Sequence, residues 1–207
     1  MLIYAIGLVA QIFFGARSLL QWIMSERARK SLSPSIFWIL SIVASWLFFI
    51  YGWMREDFAI ILGQTISYYI YIWNLDAKGI WRKIPIEFRV LLAGTPPAVI
   101  ILASGGAASF VATFLQNDSI PLWLIVFGSL GQIIFTMRFV YQLYYSYKRG
   151  ESLLPLGFWI ISVTGSAVII AYGIIRRDPI LLLGQVPGII MYARNIVLHK
   201  RHYGAVE

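Results

Sequence analysis

Arg17, Gln21 and Ser25 stand four residues apart in the first apolar stretch of the chain, and Arg138, Gln142 and Ser146 repeat them further on. A spacing of i, i+4, i+8 puts three side chains on one face of a helix. Counting ~1.5 Å per residue back from the serines places each arginine about 12 Å inside the apolar layer. A guanidinium at the centre of a membrane helix costs about 2.5–3.5 kcal/mol on insertion scales, and less where it snorkels. No carboxylate stands at comparable depth, since every Asp and Glu falls in a loop, at a helix boundary or at the terminus. Either the two cations snorkel to the interface and bond nearby carbonyls, or their anion arrives as a ligand. Arg17, Gln21, Arg138 and Gln142 are therefore the candidate phosphate-binding set.

A second polar set surrounds the first. Gln64, Ser67, Tyr71 and Asn74 follow spacings of 3, 4 and 3 along one helical stripe, and Gln185, Gly188, Tyr192 and Asn195 repeat it. Trp38, Ser41, Ser45 and Gly52 are matched by Trp159, Ser162, Ser166 and Gly173. Gln64, Tyr71, Asn74, Gln185, Tyr192, Asn195, Trp38 and Trp159 could bond and stack on a sugar. They could equally glue helices together at about 0.6 kcal/mol per polar contact. Ser31-Leu32-x-Pro34 and Ser152-Leu153-x-Pro155 set a proline near a helix start, where the partly positive end could assist a phosphate. Asp57 and Asp178, after Arg55-Glu56 and Arg176-Arg177, read as helix N-caps. His199 and His202 lie in a basic tail and read as solvated.

The elements that must position these residues come in two copies. An offset of 121 residues pairs Gln11 with Gln132, Phe37 with Phe158, Tyr51 with Tyr172, Gly63 with Gly184 and Asn74 with Asn195, without a gap from Gly7–Leu75 to Gly128–Ile196. A repeat of this length makes each copy one structural unit. The chain is 59% hydrophobic and 13% charged, with mean hydropathy +0.76. Apolar runs of membrane-spanning length recur roughly at 2–23, 35–53, 58–75, 90–115, 121–145, 155–175 and 179–198. The first has neither a basic leader nor a small-residue cleavage site and reads as a retained helix. The expected fold is all-α and polytopic, with seven transmembrane helices in a 3-1-3 order. The first repeat spans residues 1–77, a linker with the fourth helix spans 78–119, and the second repeat with its basic tail spans 120–207. Three helices are odd, so the lone span 90–115, with Pro96-Pro97 and Gly105-Gly106, is what makes the copies parallel. Pro187, opposite Ile66 of the first copy, predicts a kink in one repeat alone.

The net charge of +8 is topological. Arg27, Arg29, Lys30, Lys78, Arg82, Lys83, Arg89, Lys148, Arg149, Lys200 and Arg201 fall on one side of the seven spans, and only Arg55, Arg176 and Arg177 on the other. The positive-inside rule then puts the N-terminus outside and the C-terminus in the cytoplasm, and removes the case for nucleic acid. With no cysteine, thiolate metal sites, disulfides and thiol nucleophiles are excluded. No Gly-rich phosphate loop or paired intramembrane carboxylates are present, so an enzyme is not expected, nor a cofactor or metal.

The run Gly7-x3-Gln11-x2-Phe14-x2-Arg17-x3-Gln21-Trp22-x2-Ser25-Glu26, then Pro34-x2-Phe37-Trp38-x2-Ser41, Leu62-Gly63-Gln64 and Tyr71-x2-Asn74-Leu75, resembles the lipid A biosynthesis N-terminal domain family. That family is also called lipid-A-disaccharide-synthase N-terminal-like and is related to the PQ-loop and SWEET membrane proteins. The second copy departs from the motif at Leu143 and Tyr147, where the first has Trp22 and Glu26. The resemblance implies a multi-pass protein of the bacterial inner membrane acting in lipid A or envelope glycolipid metabolism, without the glycosyltransferase reaction. The expected function is binding and translocation of a phosphorylated polyprenyl- or lipid-A-type glycolipid, as a transporter or flippase. The alternatives are a non-catalytic partner or anchor of a glycolipid glycosyltransferase, and a SWEET-like carrier of a small sugar. Membrane lipids, such a glycosyltransferase and a second copy of the chain are the partners considered.

Overall fold

Apolar runs without water must bond their own backbone, and here they do so as α-helices. The computed structural model describes residues 2–28, 32–103, 109, 112–113, 120–149 and 154–203. Among these residues the helices are α1 (Leu2–Ala28), α2 (Ser35–Met54), α3 (Phe58–Ala77), α4 (Ile86–Ala103), α5 (Leu122–Arg149), α6 (Leu156–Ile175) and α7 (Pro179–Tyr203), with a 3₁₀ turn at Trp81–Lys83. Five of them, α1, α2, α5, α6 and α7 as far as Val197, are long and apolar enough to cross a membrane. The other two of the seven expected spans are not among these five. Helix α3 carries the polar stripe, and the described part of α4 is 18 residues long. Gly105-Gly106, Ser31, Ser152 and Leu153 lie outside the described residues.

Helix α1 packs on α2 and α2 on α3, while α5 packs on α6 and α6 on α7. The two triplets meet along two seams, α3 against α5 and α1 against α7, which the 121-residue offset makes equivalent; the α3–α5 seam is the closer one. Aromatic residues fill the bundle on either side of a polar middle. Tyr51, Tyr172, Ile60, Ile125 and Leu181 belong to one buried cluster. Trp38, Tyr71, Phe139, Phe158 and Trp159 belong to the other.

Each repeat turns from its second helix into its third in three residues. Glu56 and Arg177, the middle residues, adopt φ of 51° and 50°, and the N–H groups of Asp57 and Asp178 return to the carbonyls of Gly52 and Gly173, both at 2.9 Å. The left-handed residue closes one helix and leaves the next residue, extended at Asp57, ready to cap the following one. Asp57 accepts from the Ile60 N–H at 3.1 Å, and Asp178 from the N–H groups of Ile180 and Leu181 at 3.0 and 3.1 Å. The N-cap expectation holds for both.

Helix α4 is held to α3 for a reason written in its prolines. Pro96 and Pro97 have no N–H to give the carbonyls four residues back, those of Leu92 and Ala93. Tyr68 and Tyr69 of α3 donate their hydroxyls to those two carbonyls, at 2.9 and 2.8 Å. The positions equivalent to the tyrosines in α7 are Ile189 and Ile190, so the second repeat has no such dock. In detergent unfolding, Tyr68→Phe should destabilise by about 0.6 kcal/mol and at most about 1.7, the range measured for membrane hydrogen bonds. In a Pro96→Ala background, where the Leu92 carbonyl regains a helical partner, the same change should cost clearly less. An undiminished cost would dissociate the tyrosine from the proline.

Candidate functional site

Between the two triplets lies a cavity of about 160 Å³, lined by α1, α3, α5 and α7, with Phe48 from α2. Arg17, Gln11 and Phe14 enter it from α1, and their equivalents Arg138, Gln132 and Phe135 from α5. Gln64 and Tyr71 enter from α3, and Gln185 and Tyr192 from α7. A narrower extension of about 20 Å³ shares Arg17, Arg138 and Tyr192 and reaches Gln21, Trp159 and Asn195. Five pairs that the sequence writes twice, Gln11 and Gln132, Phe14 and Phe135, Arg17 and Arg138, Gln64 and Gln185, and Tyr71 and Tyr192, thus line the larger cavity from both repeats.

Both guanidinium groups are inside the bundle, Arg17 being 6% and Arg138 2% exposed, and neither has a carboxylate partner among the described residues. Aromatic rings box them instead. The Arg17 Cζ stands 4.5 Å from the Phe14 ring centre, 4.9 Å from Phe37 and 5.4 Å from Tyr71. The Arg138 Cζ stands over the equivalent rings, Phe135, Phe158 and Tyr192, at 3.2, 5.7 and 5.6 Å. Phe139, whose equivalent in the first copy is Ser18, is shared by both cations at 5.8 and 4.5 Å. Ring faces attract a desolvated cation, but they accept none of its directed N–H bonds in the way an oxyanion does.

The two cations differ in what remains unsatisfied. Arg17 donates to the Ser41 hydroxyl at 2.5 Å, and that hydroxyl donates on to the Phe37 carbonyl. The equivalent Ser162 donates to the Phe158 carbonyl at 2.6 Å. The Nε and Nη1 donors of Arg138 are buried without a hydrogen-bond partner, as is the Nε of Arg17. Orphaned charged donors in a low-dielectric interior are costly, and Arg138 carries more of them. Helix-borne serines fix the glutamines: Ser45 donates to the Gln64 side-chain oxygen at 3.0 Å, and Ser166 to that of Gln185 at 2.7 Å.

Not every expected site residue enters the cavity. Gln21 donates to Ser25 at 3.0 Å and to the Leu32 carbonyl at 3.3 Å, tying α1 to the chain before α2; Gln142 donates to Ser146 at 3.0 Å. The Arg-Gln-Ser stripe therefore runs from the cavity toward the loops, and its arginine end alone lines the larger space. Asn74 bonds the Ile70 carbonyl of its own helix at 2.9 Å, and Asn195 that of Met191 at 2.8 Å; Asn195 reaches the narrow extension and Asn74 neither space. Trp38 is fully buried, donates to Ser33 at 3.0 Å and packs on Tyr71. Its equivalent Trp159 lines the extension against Tyr192. Gln11 and Gln132 were absent from the candidate set although the repeat pairs them. Their side chains lie on Gly184 and Gly63, where a Cβ would collide with them, so glycine admits each amide to the opposite seam.

The sequence profile of the lipid A biosynthesis N-terminal domain matches residues 6–76 and again 127–197. The chain belongs to that family. It is 28% identical over 216 residues to a lipid-A-disaccharide synthase of Chlamydia abortus, 97% of this chain and 34% of that protein. The synthase of Chlamydia pneumoniae is 29% identical over 205 residues, 95% of this chain and 33% of its own. The chain thus spans about a third of the length of the curated relatives it matches. No solved structure matches it. Tandem family domains put Arg17 and Arg138, Gln64 and Gln185, and Tyr71 and Tyr192 at the same place in each copy.

A further pair closes the bundle away from the arginines. Tyr51 of the first repeat lies 2.7 Å from both carboxylate oxygens of Asp178, donating to one of them, and Tyr172 of the second donates to Asp57 at 2.7 Å. Arg55 stands 3.5 Å from Asp178 and Arg176 3.4 Å from Asp57. Both carboxylates are fully buried. Burial pushes the Asp57 carboxyl above its ordinary 3.8, opposed by its hydrogen bonds from Tyr172 and Ile60 and by the Arg176 charge. Sequence marked the aspartates as caps; that each cap also receives a tyrosine from the other repeat is invisible without the fold.

Proposed function

We propose that this chain binds and translocates a phosphorylated glycolipid of lipid A or related envelope metabolism in the bacterial inner membrane. The observation that carries the reading is the buried Arg138, with two guanidinium donors unsatisfied in a cavity that also holds Arg17 and contains no carboxylate among its described lining residues. Phosphate oxygens would accept those donors, Arg17 and Arg138 sharing the charge. The amide N–H groups of Gln64 and Gln185, whose oxygens the serines already hold, would donate to sugar oxygens, with Tyr71 and Tyr192 flanking the ring. With the repeats parallel and the basic loops cytoplasmic, the reciprocal Tyr–Asp pairs would seal the outer end, and rocking of the repeats would exchange access.

A second reading has its own support. The relatives named lipid-A-disaccharide synthases are about three times as long as the stretch they share with this chain. A module fused to a synthase in those proteins could serve here as the membrane anchor or partner of a separate glycosyltransferase. Purification in mild detergent followed by native mass spectrometry separates the two. A phosphorylated glycolipid retained by wild type and lost from Arg138→Gln is the expected result. A glycosyltransferase recovered without bound lipid would put the partner role first.

A further inference from the structure

The two seams between the repeats are equivalent by sequence offset and unequal in chemistry. At the level of the glutamines both are closed, Gln132 lying on Gly63 across the α3–α5 seam and Gln11 on Gly184 across the α1–α7 seam. One turn further along, the seams part company. In the α3–α5 seam Ser67 and Thr136 face each other, buried, with their hydroxyls 3.2 Å apart. Thr136 is replaced by Gly15 in the first copy, and Ser67 by Gly188 in the second. The pair that stitches one seam is therefore a pair of glycines in the other. A Cβ on Gly15 would meet nothing within 4 Å. Pro187, one residue before Gly188, has no N–H to hold α7 straight, and Ile66 stands in its place in α3.

The open seam leads into the arginine site. Gly15, Leu183 and Pro187 line the cavity and are themselves exposed, unlike Arg138. Arg138, 2% exposed and with unpartnered donors, lines the cavity behind them. On the outer side the faces that carry Gly15 and Pro187 continue as exposed aliphatics, Ile12 and Leu19 on α1, Leu183 and Ile190 on α7. A charged head group in a cavity of about 160 Å³ leaves no room for a long hydrocarbon chain. That chain needs an apolar exit into the bilayer.

We propose that the α1–α7 seam is a lateral portal, through which the hydrocarbon chain of a lipid phosphate reaches the bilayer while its phosphate lies on Arg138. The α3–α5 seam, stitched by Ser67 and Thr136, is shut to it. The portal rests on the phosphate-binding reading above, and it assigns the ligand to the lipid phosphates over free sugar phosphates.

The test uses the full chain in detergent with two probes, a prenyl phosphate bearing a photoactivatable diazirine in its chain, and glucose 1-phosphate. Photolabelling of wild type, mapped by peptide mass spectrometry, should fall on α1 and α7, around Ile12, Leu19, Leu183 and Ile190. Labels on the outer faces of α3 and α5, such as Tyr69 and Met137, would overturn the portal. Gly15→Thr with Gly188→Ser copies the closed seam into the open one, and should weaken prenyl phosphate at least tenfold more than glucose 1-phosphate. Equal loss of both probes, or of neither, counts against the portal and leaves the arginine site standing. Failure of wild type to bind either probe would remove the arginine site and the portal with it. Should the double variant not fold, the wild-type labelling map decides alone.

Discussion

Arg138→Gln is expected to lower affinity for a lipid phosphate roughly 10- to 100-fold while leaving the folded protein as stable as wild type, or more so. The lost interaction is a charge-assisted hydrogen bond to an anion, about 1.5–3 kcal/mol, and each 1.4 kcal/mol is a factor of ten. The expected stability follows from the free state, in which two donors of Arg138 are buried without a partner. A neutral amide in their place has less to lose on burial. Arg17→Gln should weaken binding less, because Arg17 already spends one donor on Ser41. Since both would touch one phosphate, the double variant should be non-additive. If the arginines serve only to fill the aromatic boxes around Phe135 and Phe139, the outcome reverses: stability falls and affinity does not. Binding of a prenyl phosphate to the wild type, both single variants and the double, beside their thermal unfolding, distinguishes the two. Unchanged affinity in folded Arg138→Gln would leave the partner role ahead.

How much of this was legible in advance depends on the range of the interaction. The 121-residue repeat, the helices and the capping role of Asp57 and Asp178 rest on local patterns, and sequence carries those directly. The arginines were legible because a cation in an apolar run is anomalous wherever it ends up. The amides were read less well. Asn74 shares a stripe with Gln64, but helical spacing places a side chain on a face and says nothing of whether it turns outward or, as Asn74 does, back to its own Ile70 carbonyl. Gln11 escaped notice because its depth and partner depend on Gly184, which lies 173 residues on. The difference between the seams was present in the sequence as Gly15 for Thr136 and Gly188 for Ser67. It acquired meaning only when the fold set those positions opposite one another. Likewise the Pro96-Pro97 pair marked only a linker helix in the sequence, and Tyr68 and Tyr69 make it a docking point once α3 lies beside α4.

The largest loss of stability is expected at the opposite end of the bundle, from Asp57→Ala or Asp178→Ala. A helix cap alone is worth about 1 kcal/mol. Here each carboxylate also takes a tyrosine from the other repeat and stands within 3.5 Å of an arginine; the carboxylates and tyrosines are sealed from solvent, while the arginines are partly exposed. Removing one member of a buried charged network strands the others, which costs about 3–5 kcal/mol. The near-equivalence of the two sites predicts that the two alanine variants lose similar amounts in detergent unfolding. Asp57→Asn should lose less: its Oδ1 can still cap Ile60, and its Nδ2, standing where Oδ2 was, can donate to the Tyr172 hydroxyl once that hydroxyl turns round, so the loss is the charge-assisted part of the tyrosine bond and the attraction for Arg176. The same contrast fixes the sign of a pH effect. Burial holds the Asp57 carboxyl above its ordinary 3.8, so the closed end takes up a proton more readily than an opened, hydrated one. The stabilisation from that uptake is complete below the ordinary value and fades as pH rises through the raised one, so acid favours closure and Asp57→Asn should abolish Asp57's share of it. Hydrogen exchange at the Ile60 amide, followed against pH in wild type and Asp57→Asn, reads this directly. A loss of only about 1 kcal/mol in Asp57→Ala would reduce the aspartate to an ordinary cap, with no part in holding the repeats together.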